Sequence, residues 1–422
     1  MRTIITFLGK RPTLTSYSFQ GHVIKGEVFA KALRGFVNYD RMLVFTTPEA
    51  HTTTWPVLAE LNDARIQEIP ITIGASRPEI WALFDTVIAQ IDEGETVIFD
   101  ITHGLRSIPF LAFLFAAYLK TAKQVTIEAI YYGAFELGDE GKGIPAPVID
   151  LSEYVTMLDW ITATDQFVQT GNANRLADLL GRGGSAKKAS GKAAEKLKLV
   201  SQAAFLCQPV TLMEQAGSLG KALNLAAEDF SVTARPFNLL SERIVNAFDA
   251  FATSEDAEPL DILRAEYNMI HWYHQHGQLI QALSLAREWL IDAVTIRLGQ
   301  PLDYHRTPRG LMERAVSGLA LVGLEIYFDD LHGKREFTPA DLNEYGRKIY
   351  DQWPEQASIA RTWDQLSKVR NQLDHAEHQA SRMRFSRIQS QAEEILKAMA
   401  DLAKKWGIIN LNLQEESGEI TP

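Results

Sequence analysis

Five short runs of β-branched and apolar residues punctuate the first 150 positions: Thr3 to Leu8, Met42 to Phe45, Ile66 to Ile71, Thr96 to Phe99 and Val125 to Tyr132. Between them lie longer stretches with apolar residues at helical spacing, chiefly Val23 to Phe36, Pro78 to Ile91 and Leu105 to Leu119. Strands separated by a dozen or more residues cannot close as hairpins, so this alternation predicts parallel strands joined by crossover helices. Such a sheet gathers the loops that leave its strand C-termini along one edge, where ligands bind.

After about position 155 the strand signal fades. The fold expected is an α/β Rossmann-like N-terminal domain followed by all-α helical domains. Residues 1–155 form the sheet domain, 156–258 a helical connecting region and 259–422 a C-terminal helical domain. In the last of these, Leu260 to Ile296 and Trp363 to Trp406 carry long helical patterns, broken near Gly299, Pro301 and Pro308. In the connecting region, Gly181 to Ser185 and the basic stretch Lys187 to Lys198 read as a surface loop. With 422 residues the chain is long enough for two or three cores.

The composition narrows the function classes. A formal charge of -11 argues against general coating of nucleic acid, so any RNA or nucleotide contact must be local. The single cysteine, Cys207, cannot pair within the chain, and no Cys/His cluster has zinc spacing, so no metal is expected. The longest apolar stretch, Ile108 to Leu119, is too short to span a bilayer, and Met1 to Leu8 lacks the pattern of a signal peptide. A cytoplasmic protein without membrane partners is expected.

The most informative motif of the first domain is Asp100-Ile101-Thr102-His103-Gly104-Leu105-Arg106-Ser107, between the fourth strand and a helix. Small and hydroxylated residues there let backbone N–H groups and a helix N-terminus approach an anion, while Thr102, His103 and Arg106 add donors. Gly9-Lys10 after the first strand, Thr46-Thr47 after the second and Gly133 to Phe135 after the fifth converge on the same edge. The residues equally suit a plain turn, with Thr102 capping the helix, Gly104 turning the chain and His103 packed.

In the C-terminal domain Arg370-Asn371-Gln372-Leu373-Asp374-His375 falls inside a helical pattern. Asn371 and His375 are four apart on one face, and the Arg370 stem is long enough to bring its guanidinium alongside. Metal-free RNA cleavage needs a base for the 2'-hydroxyl, an acid for the leaving 5'-oxygen and positive charge at the phosphorus, which His375 and Arg370 supply in kind. A single histidine cannot easily serve as acid and base at once, so a dimer would complete the site. The alternative is an exposed Arg370–Asp374 helix pair with a solvated His375. With 24 arginines, 10 histidines and three permitted spacings in 422 residues, an Arg-x(4–6)-His pattern arises by chance roughly 1.7 times. Arg264 and His271 also satisfy it, but no Asn follows Arg264, and that pair is read as a coincidence.

Asp100-x-Thr102-His103-Gly104 after the fourth strand, with Phe7-Leu8-Gly9 at the first, resembles the D-x-T-H-G class of CRISPR-associated CARF proteins. Arg370-Asn371-x-x-x-His375 resembles the signature of HEPN ribonucleases, and Gly277 to Trp289 is similar to a helix of the same family's HEPN domains. The two motifs stand in the family's order, and the resemblance covers roughly the first 160 and last 160 residues. The connecting helices resemble nothing we can name.

The resemblance implies a type III CRISPR accessory protein: a homodimer or higher homo-oligomer whose CARF domains bind a cyclic oligoadenylate, first of all cyclic tetra-adenylate. It assigns activator contacts to Gly9, Thr102, His103 and Gly104; Lys10 and Arg106 are added from charge and position. Two helices carrying Arg370, Asn371 and His375 would form a composite site that cleaves single-stranded RNA to 2',3'-cyclic phosphate ends, needing no cofactor besides the activator. Arg287 and Glu288 are kept outside the catalytic set as salt-bridging or solvent-facing charges. Two rivals stand beside this reading. One is a CARF sensor that degrades its own activator; the other is a non-enzymatic nucleotide-sensing regulator. No DNA partner is expected, since only Lys187 to Lys198 comes near a basic recognition helix.

Overall fold

The computed structural model describes residues 1–104, 107–182, 188–229, 235–254, 256–303, 306–323, 327–330, 333–374 and 384–409. The chain divides into two compact units, 1–161 and 162–422. The first is a mixed α/β sheet domain and the second, among its described residues, is helical apart from one hairpin.

In the first unit the elements run β1 (Arg2–Phe7), β2 (Thr15–Phe19), β3 (His22–Gly26), α1 (Phe29–Phe36), β4 (Arg41–Thr46), α2 (Pro48–Thr53), α3 (Pro56–Ala59) and β5 (Ile66–Pro70). They continue with α4 (Arg77–Ala89), β6 (Thr96–Asp100), α5 (Ile108–Ala122), β7 (Thr126–Gly133) and β8 (Ala146–Asp150), after which α6 (Ser152–Thr170) carries the chain past the unit boundary at 161. The sheet order is β3-β2-β8-β7-β6-β1-β4-β5. Its heart, β7-β6-β1-β4-β5, is parallel, as the alternating sequence predicts.

Alternate residues of the central strands feed two cores. Ile5, Phe7, Leu43, Phe45, Val97 and Phe99 pack with Leu83 and Val87 of α4 and Phe115 and Leu119 of α5. Ile4, Met42, Val44 and Ile98 face the other way, onto Phe29 and Leu33 of α1 and onto Ala50 and Leu58. Each such side chain, fully buried, stabilises the fold by about 1.5–3 kcal/mol before entropy is counted. Both faces being covered explains why these strands read as near-continuous apolar runs.

One expected helix is replaced. Instead of spanning Val23 to Phe36, the chain makes an antiparallel β2–β3 hairpin, with helix only from Phe29. Gln20 and Gly21 adopt φ of 49° and 82°, the two positive angles of a twist-matched two-residue turn. That turn pairs Thr15–Phe19 with His22–Gly26.

The second unit contains α7 (Asn174–Arg182), α8 (Ala189–Phe205), α9 (Pro209–Asp229), α10 (Arg235–Asp249), α11 (Pro259–Gln275), α12 (Leu279–Arg297) and α13 (Arg306–Gly323). It ends with β9 (Tyr327–Asp330), β10 (Gly333–Glu336), α14 (Glu344–Gln352), α15 (Gln356–Asp374) and α16 (Phe385–Lys405). The β9–β10 hairpin corrects the all-α expectation for this half. The pattern from Leu260 to Ile296 is two helices rather than one, because Gly277 at φ 70° ends α11. Most of the basic stretch read as loop, from Ala189 on, is the start of α8. Trp289 of α12 is fully buried, and its indole N–H donates to Leu263 O at 2.9 Å. Tyr273 of α11 donates to Ala204 O of α8 at 2.6 Å. Among the described residues no helix is long and apolar enough to cross a membrane.

Candidate functional site

The sheet changes its direction of progression at β1. The chain moves outward through β4 and β5, then returns to place β6 and β7 on the other side of β1. The loops leaving β1 and β6 therefore depart to opposite faces, which opens a crevice at their C-terminal ends.

Asp100, at the end of β6, forms the floor. It has no solvent exposure, and its carboxylate accepts from Thr6 Oγ1 at 2.7 Å and from the Thr102 amide at 2.8 Å. The Thr102 hydroxyl oxygen accepts the Gly133 amide at 2.8 Å, so the side chain braces β7 and does not cap α5, whose N-cap is Ser107. Gly133 must stay bare. A Cβ there would stand 2.8 Å from the rings of both Phe29 and Tyr17.

Above this floor, His103 Nε2 accepts the Phe29 amide at 3.1 Å, and the imidazole lies almost parallel to Phe135 with centroids 5.9 Å apart. Burial pushes the imidazole pKa down against the pull of the Asp100 charge, while burial pushes the Asp100 carboxyl up. A neutral His103 fits its bond, since only an unprotonated nitrogen can accept from Phe29. The side chain is an oriented, flat, uncharged surface.

A methyl at Gly9 would lie 3.4 Å from Gly104 N and 3.6 Å from His103 Cβ, so the loops after β1 and β6 face each other across a gap about one methyl group deep. Thr54 Oγ1 holds the Gly9 carbonyl at 2.6 Å, and Gly104 has a φ of 112° that a side chain would strain. The structure thus brings together Gly9, His103 and Gly104, with Thr102 beneath them. Lys10 is exposed and paired with Glu49 of α2 at 2.6 Å. Arg106 lies outside the described residues. Thr6, Thr54 and Phe29 support the site without having been legible as its parts, whereas Phe135 lies in the loop after the fifth strand that the sequence already placed at this edge.

In the second unit Arg370 and Asn371 occupy the last turn of α15, Arg370 half-buried and Asn371 exposed. His375 lies outside the described residues. Of the other Arg/His pair, Arg264 donates to Ile408 O at 2.8 Å and pairs with Asp261 at 2.7 Å. His271 packs its ring 4.4 Å from Tyr267.

Arg287 and Glu288 belong to a cluster that ties three helices together. Arg287 pairs with Glu288 at 2.7 Å and with Glu313 of α13, and its guanidinium lies 4.5 Å over the Trp363 ring of α15. Arg309 of α13 bonds Glu288 at 2.6 Å and Asp292 of α12. Burial lifts Asp292 to about 6 against the pull of Arg309, and lifts Glu266 of α11 to about 8, reinforced by the Asp292 charge.

A sheet domain with a crevice at its β1–β6 edge, followed by a helical unit, defines a two-part protein in which a loop-built pocket precedes a helical bundle. Residues 156–255 match the family model described as the second domain of CRISPR-associated protein MJ1674. The CRISPR-associated protein MJ1674 of Methanocaldococcus jannaschii is 32% identical over 139 residues, 31% of this chain and 20% of that protein. The match therefore spans about a fifth of the curated relative. Among solved structures, Enterococcus italicus Csm6 bound to cyclic hexa-2'-fluoro-hexa-dAMP aligns with 98% of this chain and 96% of its own, at 11% identity and a TM-score of 0.46.

Proposed function

We propose that this chain is a ligand-activated ribonuclease of a type III CRISPR system. Residues 1–155 act as a Rossmann-like CARF sensor, 156–258 as the connecting region and 259–422 as a HEPN domain. The observation that carries the reading is the close facing of Gly9 and the His103-Gly104 turn at the β1–β6 edge, in a chain whose 156–255 segment matches a CRISPR-associated family. Backbone N–H groups bared by glycine, the N-terminus of α5 and a flat neutral imidazole suit a ligand of alternating phosphates and bases. A cyclic oligoadenylate, cyclic tetra-adenylate first, has that chemistry.

In this reading, Gly9, Thr102, His103, Gly104, Lys10 and Arg106 face the activator. Binding favours one arrangement of a homodimer, and activation follows from tighter binding to that arrangement. The two His375 side chains of the dimer divide the proton work, one taking the 2'-hydroxyl proton and the other protonating the leaving 5'-oxygen, while Arg370 balances charge at phosphorus and Asn371 orients the histidine or the phosphate. Each chain supplies half of the site.

The test is cleavage of a labelled single-stranded RNA by wild type, His375→Ala and His103→Ala, each with and without cyclic oligoadenylates, in EDTA. Stimulated cleavage giving 2',3'-cyclic phosphate ends is expected from wild type, none from His375→Ala, and little stimulation from His103→Ala. Undiminished cleavage by His375→Ala sinks the assignment.

A further inference from the structure

A cavity of about 340 Å³ opens in the second unit between α12, α13, α14 and the segment that follows α12. Its size falls in the ~300–1,000 Å³ range of small-ligand pockets, and its walls include Pro301, Leu302, Leu311 and Met312, with Tyr345 alongside. None of these residues belongs to the crevice or to the Arg370 run.

Its polar groups have a definite order. Asp292, 3% exposed, and Arg309 are bonded to each other and both line the cavity, so it meets a carboxylate acceptor directly beside a guanidinium donor. Thr295, on the same wall, spends its proton on Ile291 O at 2.7 Å and offers the cavity only an acceptor oxygen. Asp303 adds a second carboxylate.

We propose that this cavity is a guanine-binding pocket. Guanine presents two adjacent N–H donors next to a carbonyl acceptor on its Watson–Crick edge, the complement of a carboxylate beside a guanidinium. Adenine turns an unprotonated ring nitrogen toward the carboxylate and is rejected, because a buried acceptor facing an acceptor loses its hydrogen bond and keeps its desolvation cost. A small cation fits less well. Arg309 already pairs with Asp292, and Asp303 has a partner of its own, so a second full charge would lose its water at the apolar walls for little return.

The same ion pair runs on through Glu288 to Arg287 and Trp363 of α15, the helix that carries Arg370. Occupancy is therefore connected by packed charges to that helix. The base can come from an RNA strand or from a free guanine nucleotide, and the pocket chemistry is shared.

The test is calorimetric titration of the full chain with GMP, IMP, AMP, the trinucleotides ApGpA and ApApA, and N-ethylguanidinium as a cation control. GMP is expected to bind at least tenfold more tightly than AMP, with IMP, which lacks the 2-amino group, between them. Asp292→Asn, its fold checked by circular dichroism, brings GMP to the level of AMP. Tyr345→Ala at the cavity wall weakens all nucleotides and keeps their order, which decides the matter if Asp292→Asn does not fold. ApGpA tighter than GMP identifies a strand as the source, and the reverse identifies free nucleotide. Absence of nucleotide binding, equal GMP and AMP affinity, an unchanged preference in folded Asp292→Asn, or displacement of GMP by N-ethylguanidinium each overturns the proposal. These are binding measurements, so they stand or fall apart from RNA cleavage.

Discussion

The β1–β6 crevice and the charge cluster of α12 and α13 each bury a carboxylate, Asp100 and Asp292, and they satisfy it by opposite means. Asp100 is held by neutral donors, the Thr6 hydroxyl and the Thr102 amide, with no cation bonded to it among the described residues. Glu288 and Asp292 are held by Arg309, and Glu266 lies near them with one buried oxygen that has no hydrogen-bond partner among the described residues. Neutral donors fix geometry with little sensitivity to charge, whereas ion pairs make position depend on every charge in the network. The crevice is a shape held rigid by its sheet; the cluster is a charge balance shared between helices.

Removing one partner separates the two most sharply. Arg309→Ala leaves the buried Asp292 carboxylate without its cation, while Glu288, more exposed, keeps Arg287, and a loss of about 3–5 kcal/mol in urea unfolding of the full chain is expected. A loss under ~1 kcal/mol would show that water reaches the cluster.

Glu266 tests the charge balance by pH. Its folded pKa of about 8 lies above the ordinary 4.5, so the unfolded chain releases this proton first and stability falls as pH rises from about 4.5 to about 8. By linkage the cost reaches roughly 3 kcal/mol at pH 7. Glu266→Gln removes that dependence, and unfolding midpoints measured across this window should become flatter than those of wild type.

In the crevice the matching change is Thr102→Val, which keeps the shape and orphans the buried Gly133 amide. A loss of about 1–3 kcal/mol, nearly independent of pH between 5 and 8, is expected from denaturant unfolding. A strong pH dependence would erase the contrast between the two regions. Smallest of all is Lys10→Ala. The Lys10–Glu49 pair is exposed, so stability should move by less than ~1 kcal/mol, while affinity for a phosphate-bearing ligand measured in low salt should fall.

Several features are legible in the residues themselves. The five parallel strands announce themselves because both of their faces are covered and their apolar runs are nearly continuous. The loop 100–107 can be placed because it follows such a strand and precedes a helix. The β2–β3 hairpin is hidden because Val23, Ile24 and Phe29 also fit a helical repeat; two positive φ angles at Gln20 and Gly21 decide against it. The connecting helices, which resemble nothing from their residues alone, are the segment that the CRISPR-associated family model matches.

The sequence by itself determined the order of sheet and helices, the loop that faces the crevice and the residue types available there, because these follow from local periodicity and turn chemistry. Only the tertiary structure decided that Thr102 braces Gly133, that His103 is a neutral acceptor beside Phe135, and that Asp292 and Arg309 meet at a cavity. Those facts join residues 17 to 74 positions apart, and their energies depend on burial, which no local pattern encodes.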